Sequence, residues 1–357
     1  YVAFIYIKLY IYFMKKVGII GASGFTGAEI LRICASHPDL QVDVAAADSM
    51  SGGRVSDLYP GLSAEYGDLI FAPTNPKIFQ NGDLVFLCLP HGASQELVPQ
   101  LKDDVEYLID LGADYRLKDQ SLYPLWYDAP HINPDLLSDF AYGLPELFRE
   151  EVQESNLISV PGCFPTAATL ALAPYIESGL IETNRIIVDA ATGVSGAGRA
   201  PKENTTFCAV DENFTAYGLL DHRHTPEMEQ VLSIKAKEEV SVLFTPHLAP
   251  MTRGILATCY AQPTVEMDTA SALEILAAYY EKEPFVVVDE RSPSTKSTFG
   301  SNVAHLTARV DPRTGYLMVI SAIDNLGKGA SGGAIQCANL VFGFEETQGL
   351  PTTGITP

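Results

Sequence analysis

The segment Val160-Pro161-Gly162-Cys163-Phe164-Pro165-Thr166 stands immediately before an Ala/Leu-rich run. A thiol at such a loop-to-helix junction meets unpaired N–H groups and the positive end of a helix dipole, which favour thiolate over thiol. The same N–H groups can hold an oxyanion, so Cys163 is the candidate nucleophile. Cys34, Cys88, Cys208, Cys259 and Cys337 lack this setting and read as buried structural thiols. A cysteine nucleophile needs an acid or a base. His222-Arg223-His224-Thr225-Pro226-Glu227 precedes a helix, with Thr225 as its N-cap and Pro226 in its first turn. Two histidines at i and i+2 beside an arginine suit a site better than a core. A metal reading of His-x-His would add His247 as a third ligand. No HExxH or HxxEH helix accompanies it, and no metal is expected.

Gly21-Ala22-Ser23-Gly24-Phe25-Thr26-Gly27 lies between an apolar strand and a helix. A turn there needs positive φ, and its N–H groups can approach a pyrophosphate at the helix start. The spacing is G-x-x-G-x-x-G rather than G-x-G-x-x-G, so the strand before it and the helix after it carry the reading. The second strand ends in Asp48-Ser49-Met50-Ser51-Gly52-Gly53-Arg54. Asp48 suits a ribose 2′-hydroxyl and NAD, whereas the serines and Arg54 suit the 2′-phosphate of NADP. The residues alone leave both open.

Three further loops combine small residues with a cation: Ala113-Asp114-Tyr115-Arg116, Gly193-Val194-Ser195-Gly196-Ala197-Gly198-Arg199 and Asn325-Leu326-Gly327-Lys328-Gly329. Arg116, Arg199, Arg223 and Lys328 thereby concentrate positive charge at loops, as an anionic substrate would require. The chain as a whole carries a net charge of −21, which opposes nucleic acid and anionic membrane. Scattered cysteines without a CxxC pair point to a reduced, cytoplasmic protein.

The elements that must position these residues follow from periodicity. Strands are expected at Val17–Ile20, Val42–Ala47, Leu84–Leu89, Tyr107–Asp110 and Leu157–Val160, separated by helical stretches. That pattern implies βαβ units and a parallel sheet. Beyond Cys163, six strand candidates run from Ile186 to Asp324, with helices near Thr166–Ser178, Pro226–Glu238 and Ala270–Lys282. They imply a mixed or antiparallel sheet with helices on one face. A last helix, Ala330–Phe342, is expected to pack back on the first domain. At 357 residues, two domains sharing a cleft are expected. Tyr1–Phe13 is apolar and aromatic but too short to span a bilayer. Lys8 interrupts it and no small-residue cleavage site follows. The expectation is that residues 1–13 are a non-native extension and that translation begins at Met14.

GASGFTGAEILR, LPHGAS, DLGADYRL, VPGCFPTAA, GVSGAGR, AYGLLDHRHTPEMEQ and DNLGKGASGGA occur in the order found in N-acetyl-gamma-glutamyl-phosphate reductases of arginine biosynthesis. The chain resembles that family from Met14 almost to its C-terminus. The resemblance implies an α/β protein: a Rossmann-type NADP domain over 14–160 and 325–357, and an α+β catalytic and oligomerisation domain with a mixed sheet over 161–324. It implies NADPH-dependent reduction of an acyl phosphate to a semialdehyde through a cysteine thioester, with inorganic phosphate released. A homodimer or homotetramer is expected. Cys163 would be the acylated nucleophile, His224 the acid/base and His222 a substrate contact. Arg116, Ser195, Gly196 and Arg199 would line the substrate pocket. Gly21, Ser23, Gly24, Phe25, Thr26 and Gly27 would hold the dinucleotide together with Ser49 and Arg54, and Asn325 would border the nicotinamide.

One departure bears on the cofactor. Many relatives carry Ser-Arg-Ser and then Gly-Lys after the second strand, where this chain reads Asp48-Ser49-Met50 and Gly53-Arg54. Arg54 can replace the lysine, but the arginine is missing. NADP is expected ahead of NAD. Two rival readings stand beside the reductase: an aspartate-semialdehyde dehydrogenase-like enzyme and a non-catalytic NAD(P)-sensing regulator. HRHTPE speaks against the first, and the pairing of Cys163 with His224 against the second.

Overall fold

The computed structural model describes residues 14–355, so the expectation for residues 1–13 lies outside the described residues. Six strands form one parallel sheet: β1 (Lys15–Ile20), β2 (Leu40–Ala46), β3 (Leu84–Leu87), β4 (Tyr107–Asp110), β5 (Ala141–Tyr142) and β6 (Leu157–Ser159). Their order is β2-β1-β3-β4-β6-β5. Val17 to Ile20 and the whole of β3 are buried, as continuous apolar strands covered on both faces must be. The chain leaves β1 toward β2 on one side and returns to β3 on the other. This reversal opens a crevice at the carboxyl ends of β1 and β3, where parallel α/β sheets bind ligands.

The glycine loop fills that crevice. Gly21 adopts φ +84°, and a Cβ there would stand 2.2 Å from the Cys88 carbonyl oxygen. Helix α1 (Phe25–Cys34) follows at once. Gly27 lets α1 lie on β1, because its Cβ would stand 2.6 Å from the Ala22 Cα. Two more helices flank this sheet, α2 (Ala93–Leu101) and α3 (Pro145–Glu154).

The second sheet has seven strands: β7 (Ile186–Thr192), β8 (Thr215–Ala216), β9 (Val242–Leu248), β10 (Ile255–Ala261), β11 (Val286–Val288), β12 (Ala304–Val310) and β13 (Leu317–Ile323). Their order is β11-β12-β13-β10-β7-β9-β8. β10 pairs antiparallel with β13 and β7, whereas β7 with β9 and β11 with β12 are parallel, so the sheet is mixed. Burial alternates strictly along β7 and β10, which marks one face as core. Three helices cover that face: α4 (Cys163–Glu177), α5 (Thr225–Ala236) and α6 (Thr269–Tyr279).

α4 is apolar all round and buried from Phe164 to Ile176, the pattern of a central helix. It starts at Cys163 rather than near Thr166, because Pro165 is tolerated in a first turn whose N–H groups need no intrahelical partner. The C-terminal helix α7 (Gly332–Val341) starts two residues later than the expected Ala330. A π-helical turn over Gly327–Ser331 precedes it. Ala334, Ile335, Cys337 and Ala338 of α7 share a core with Val17, Ile19 and Ile30. Among the described residues no helix is long and apolar enough to cross a membrane.

The closeness of α1 to β1 gives the first prediction. Gly27→Ala forces a methyl into backbone and should cost about 1–3 kcal/mol. It should lower the urea midpoint and weaken dinucleotide binding together. Unchanged values of both would contradict the packing.

Candidate active site

Two chain segments converge on the nucleophile. The end of β6 runs through Val160-Pro161 to Gly162, which is extended (φ −65°, ψ 153°) and caps α4. Cys163 is therefore the first residue of the helix. From the other side, His224 occupies the N-cap position of α5, displacing Thr225 from the capping role the sequence suggested. The two segments touch: a Cβ on Gly162 would lie 2.4 Å from His224 Nε2. Only glycine lets that imidazole rest against the backbone next to Cys163, and both residues line one cavity.

Glu227, one turn into α5, fixes this junction from beneath. Its Oε1 accepts the Gly162 N–H at 2.8 Å and the Tyr142 hydroxyl at 2.8 Å. Its Oε2 lies 3.5 Å from Arg116 Nη1. Arg116 also donates to the Val160 and Leu111 carbonyls, both at 2.8 Å, and is only 7% exposed. Arg116 thus stands behind the nucleophile as a strut rather than lining the cavity in front of it. Burial forces this, since a desolvated guanidinium must satisfy its donors on fixed partners.

The electrostatics depart from the expected thiolate. Burial pushes the Cys163 thiol up to about 11, with Arg116 and nearby N–H groups opposing it. The helix start is present, but desolvation of the anion outweighs it. Burial also lowers His222 to about 4. It drives His224 well below the ordinary histidine range, helped by His222, Arg116 and Arg223. Both shifts favour the uncharged forms, and a neutral imidazole can accept a proton. His224 Nδ1 is buried without a partner, and the His222 and His224 rings lie 4.8 Å apart. His247 stacks on Phe214 instead of joining them.

In front of Cys163 opens a cavity of about 610 Å³ lined by Gly196, His222, Arg223 and His224, with Lys202, Tyr217 and Trp126. Ser195 and Arg199 line an adjoining cavity of about 520 Å³ that reaches Phe25 of the glycine loop. Asn325 stitches the loops together: its Nδ2 donates to Ser195 Oγ at 3.0 Å, and its Oδ1 accepts the Gly254 N–H at 2.7 Å. A larger cavity of about 710 Å³, around Glu177 to Asn184, holds neither the nucleophile nor the glycine loop.

The loop fits a dinucleotide pyrophosphate, since Gly21 leaves a cradle that a Cβ would fill. Ser23 is buried, and its carbonyl accepts the Tyr59 hydroxyl at 2.7 Å. The Thr26 carbonyl accepts Ser331 Oγ at 2.9 Å, while Gly24, Phe25 and Thr26 remain partly open to solvent. At the end of β2, Asp48 accepts the Thr74 N–H at 2.6 Å, whereas Ser49 and Arg54 are exposed.

Two further expectations need correction. Lys328 is not at the anion site: its side chain has no exposed surface, and Nζ lies 2.6 Å from both Glu146 and Gln336. Buried carboxylate and amide drew it inward. Cys208 is exposed, in a short turn of helix over Phe207–Val210, because that segment lies on the surface despite its apolar residues. Sequence reasoning missed Glu227, although its i+3 spacing from His224 places both on one helix face and was a usable signal. Lys202 and Trp126 carried no signal, since the fold alone brings them to the cavity.

Comparisons agree with this anatomy. A family model described as semialdehyde dehydrogenase, NAD binding domain, matches residues 16–155. One described as semialdehyde dehydrogenase, dimerisation domain, matches residues 163–325. The N-acetyl-gamma-glutamyl-phosphate reductase of Acetivibrio thermocellus is 44% identical over 343 residues, covering 96% of this chain and 99% of that protein. That of Symbiobacterium thermophilum is 47% identical over 342 residues, covering 95% and 98%. Among solved structures, aspartate semialdehyde dehydrogenase II from Vibrio cholerae, complexed with ASA, matches with TM-score 0.69 at 17% identity, covering 92% of this chain and 98% of that one. The Candida albicans aspartate semialdehyde dehydrogenase with NADP gives 0.66 at 16%, covering 92% and 99%. The structural likeness shows the fold.

A raised thiol has a measurable consequence. Iodoacetamide should alkylate Cys163 of the ligand-free protein more slowly than exposed Cys208 at neutral pH. The Cys163 rate should climb as the pH approaches about 11, where its thiolate forms. Peptide mass spectrometry reads both sites, and a faster Cys163 at neutral pH would contradict the desolvated thiol.

Proposed function

The chain belongs to the N-acetyl-gamma-glutamyl-phosphate reductase family, and from that premise we propose that it reduces N-acetyl-L-glutamyl 5-phosphate to N-acetyl-L-glutamate 5-semialdehyde with NADPH, through a thioester on Cys163. The observation that carries this reading is the convergence of Cys163 and His224 on one cavity, beside a second cavity that runs from Ser195 and Arg199 to the glycine loop.

Cys163 sulfur attacks the acyl carbon, and its proton passes to His224. A C–S bond forms and the C–O bond to phosphate breaks. The N–H groups at the start of α4 stabilise the oxyanion on the way. His224 hands the proton to the departing phosphate oxygen, which splits one difficult substitution into two easier steps. NADPH bound along the glycine loop supplies the hydride for the thioester carbon. The C–S bond then breaks, its electron pair returns to sulfur, and one proton taken up through His224 restores the thiol. The net change consumes acyl phosphate, NADPH and a proton, and yields semialdehyde, NADP⁺ and phosphate.

Arg199, Lys202 and Arg223 are exposed at the cavities and suit an anionic substrate in a chain of net charge −21. Asp48 Oδ1 accepts the Thr74 N–H, and exposed Ser49 and Arg54 beside it suit the 2′-phosphate of NADP. The same reading puts the enzyme in arginine biosynthesis, in the cytoplasm, as a homodimer or homotetramer. The outward face of the mixed sheet supports the oligomer, with Leu243 50% and Val287 39% exposed.

Cys163→Ser should abolish NADPH oxidation with N-acetylglutamyl phosphate and leave NADPH binding unchanged by fluorescence titration. Retained turnover would refute the nucleophile. In the reverse direction, N-acetylglutamate semialdehyde and phosphate should reduce NADP⁺ faster than NAD⁺. Aspartate semialdehyde should be the poorer substrate, and the opposite order would make the enzyme an aspartate-semialdehyde dehydrogenase.

A further inference from the structure

We propose that Arg253 is a positioning residue for hydride transfer: held between Glu29 on the cofactor helix and Asp324 beside the substrate loop, it sets the distance between the dinucleotide and the acylated Cys163. The inference rests on the reductase reading above.

The geometry is that of a clasp. Arg253 Nη1 and Nη2 reach Glu29 Oε2 and Oε1 at 3.2 and 2.8 Å, a fork on a carboxylate. Its Nε and Nη2 also reach Asp324 Oδ1 at 3.1 and 2.9 Å. Arg32 closes the far side of Glu29 at 3.1 and 2.8 Å. Two arginines thus neutralise two carboxylates, and the Glu29, Asp324 and Arg253 side chains are only 6%, 0% and 14% exposed. The Glu29 carboxyl is held below the usual carboxylate range against its burial by Arg32 and Arg253.

Each end of the clasp leads to one reactant. Glu29 lies on α1 two residues beyond Gly27, so its position sets that of the glycine loop. Asp324 Oδ1 also accepts the Leu326 and Gly327 N–H groups at 2.8 and 3.0 Å, and neighbouring Asn325 donates to Ser195. Arg253 itself lies against the substrate loop: a Cβ on Gly193 would stand 2.7 Å from the Arg253 nitrogen. A shift of α1 relative to Gly193–Gly196 changes the separation that hydride must cross. Arg253, Glu29 and Asp324 do not line the cavity in front of Cys163, so the effect is expected on the step that needs the dinucleotide.

The test separates the two half-reactions in Arg253→Ala, Arg253→Lys and Glu29→Gln, with thermal unfolding as the folding control. Without dinucleotide, acyl phosphate should release the same burst of phosphate in each variant as in wild type. With NADPH deuterated at C4, kcat should fall by about 100-fold in Arg253→Ala, with a larger isotope effect than wild type. Arg253→Lys, which keeps the charge but loses the fork, should recover part of the rate. Independently of turnover, bound NADP⁺ should shield Cys163 from iodoacetamide less in Arg253→Ala and Glu29→Gln than in wild type, compared at saturating NADP⁺. Equal hydride rates and equal shielding in folded variants would overturn the inference, as would a phosphate burst that falls in step with kcat. Absence of wild-type turnover would overturn the reductase reading and this inference with it, whereas active wild type with unaltered variants would overturn this inference alone.

Discussion

A carboxylate with no exposed surface sits where the two sheets meet. Glu227 accepts the Gly162 amide and the Tyr142 hydroxyl and lies against Arg116, so it holds β5, the turn before α4 and the loop after β4 in one place. Removing one partner of a buried pair costs about 3–5 kcal/mol, because the other charge is left without water or counterion. The Cys163 turn is therefore rigid for an electrostatic reason. His224 inherits the same rigidity, being one turn earlier on the segment that carries Glu227.

The price of this enclosure is a thiol that holds its proton. The shifts in Cys163, His222 and His224 share burial as their largest cause, and in each the neutral form is favoured. A resting thiolate–imidazolium pair would place two charges in a site that already contains Arg116. In the proposed reaction bond formation changes the balance: once sulfur bonds to carbon its charge is gone, and the departing phosphate takes the proton. On that reading deprotonation accompanies attack rather than preceding it.

Much of this was legible along the chain, for identifiable reasons. LVFL could only be a strand buried on both faces, and it is β3. Cys163 between Gly162 and Pro165 had to sit at a helix start, and the Gly21–Gly27 loop had to follow a strand. Partner choice was not legible. Arg116 meets Glu227 across 111 positions, and Lys328 meets Glu146 across 182. A sequence announces a cation without announcing the carboxylate that will bury it, so both looked like anion binders. α2 carries Pro99 inside it, and α3 is interrupted by a non-helical Phe148. They are helices because the parallel sheet they cover demands it.

Two buried ionic contacts bracket the cleft, Arg116–Glu227 at the nucleophile and Arg253–Glu29 at the cofactor helix. Rotation of one domain against the other would have to break both, parting Arg116 from Glu227 and taking from Glu29 one of its two arginines. Whole-domain closure is therefore the costly way to seal the site. The rim differs: Arg199, Lys202 and Arg223 are exposed there, and Leu125 presents apolar surface at 74% exposure. On the proposed reading an anionic substrate would pair with those cations without moving the parts that fix Cys163, His224 and the glycine loop. A rigid floor suits the proposed thioester, since its acyl carbon would have to wait for reduction in a place that water does not reach.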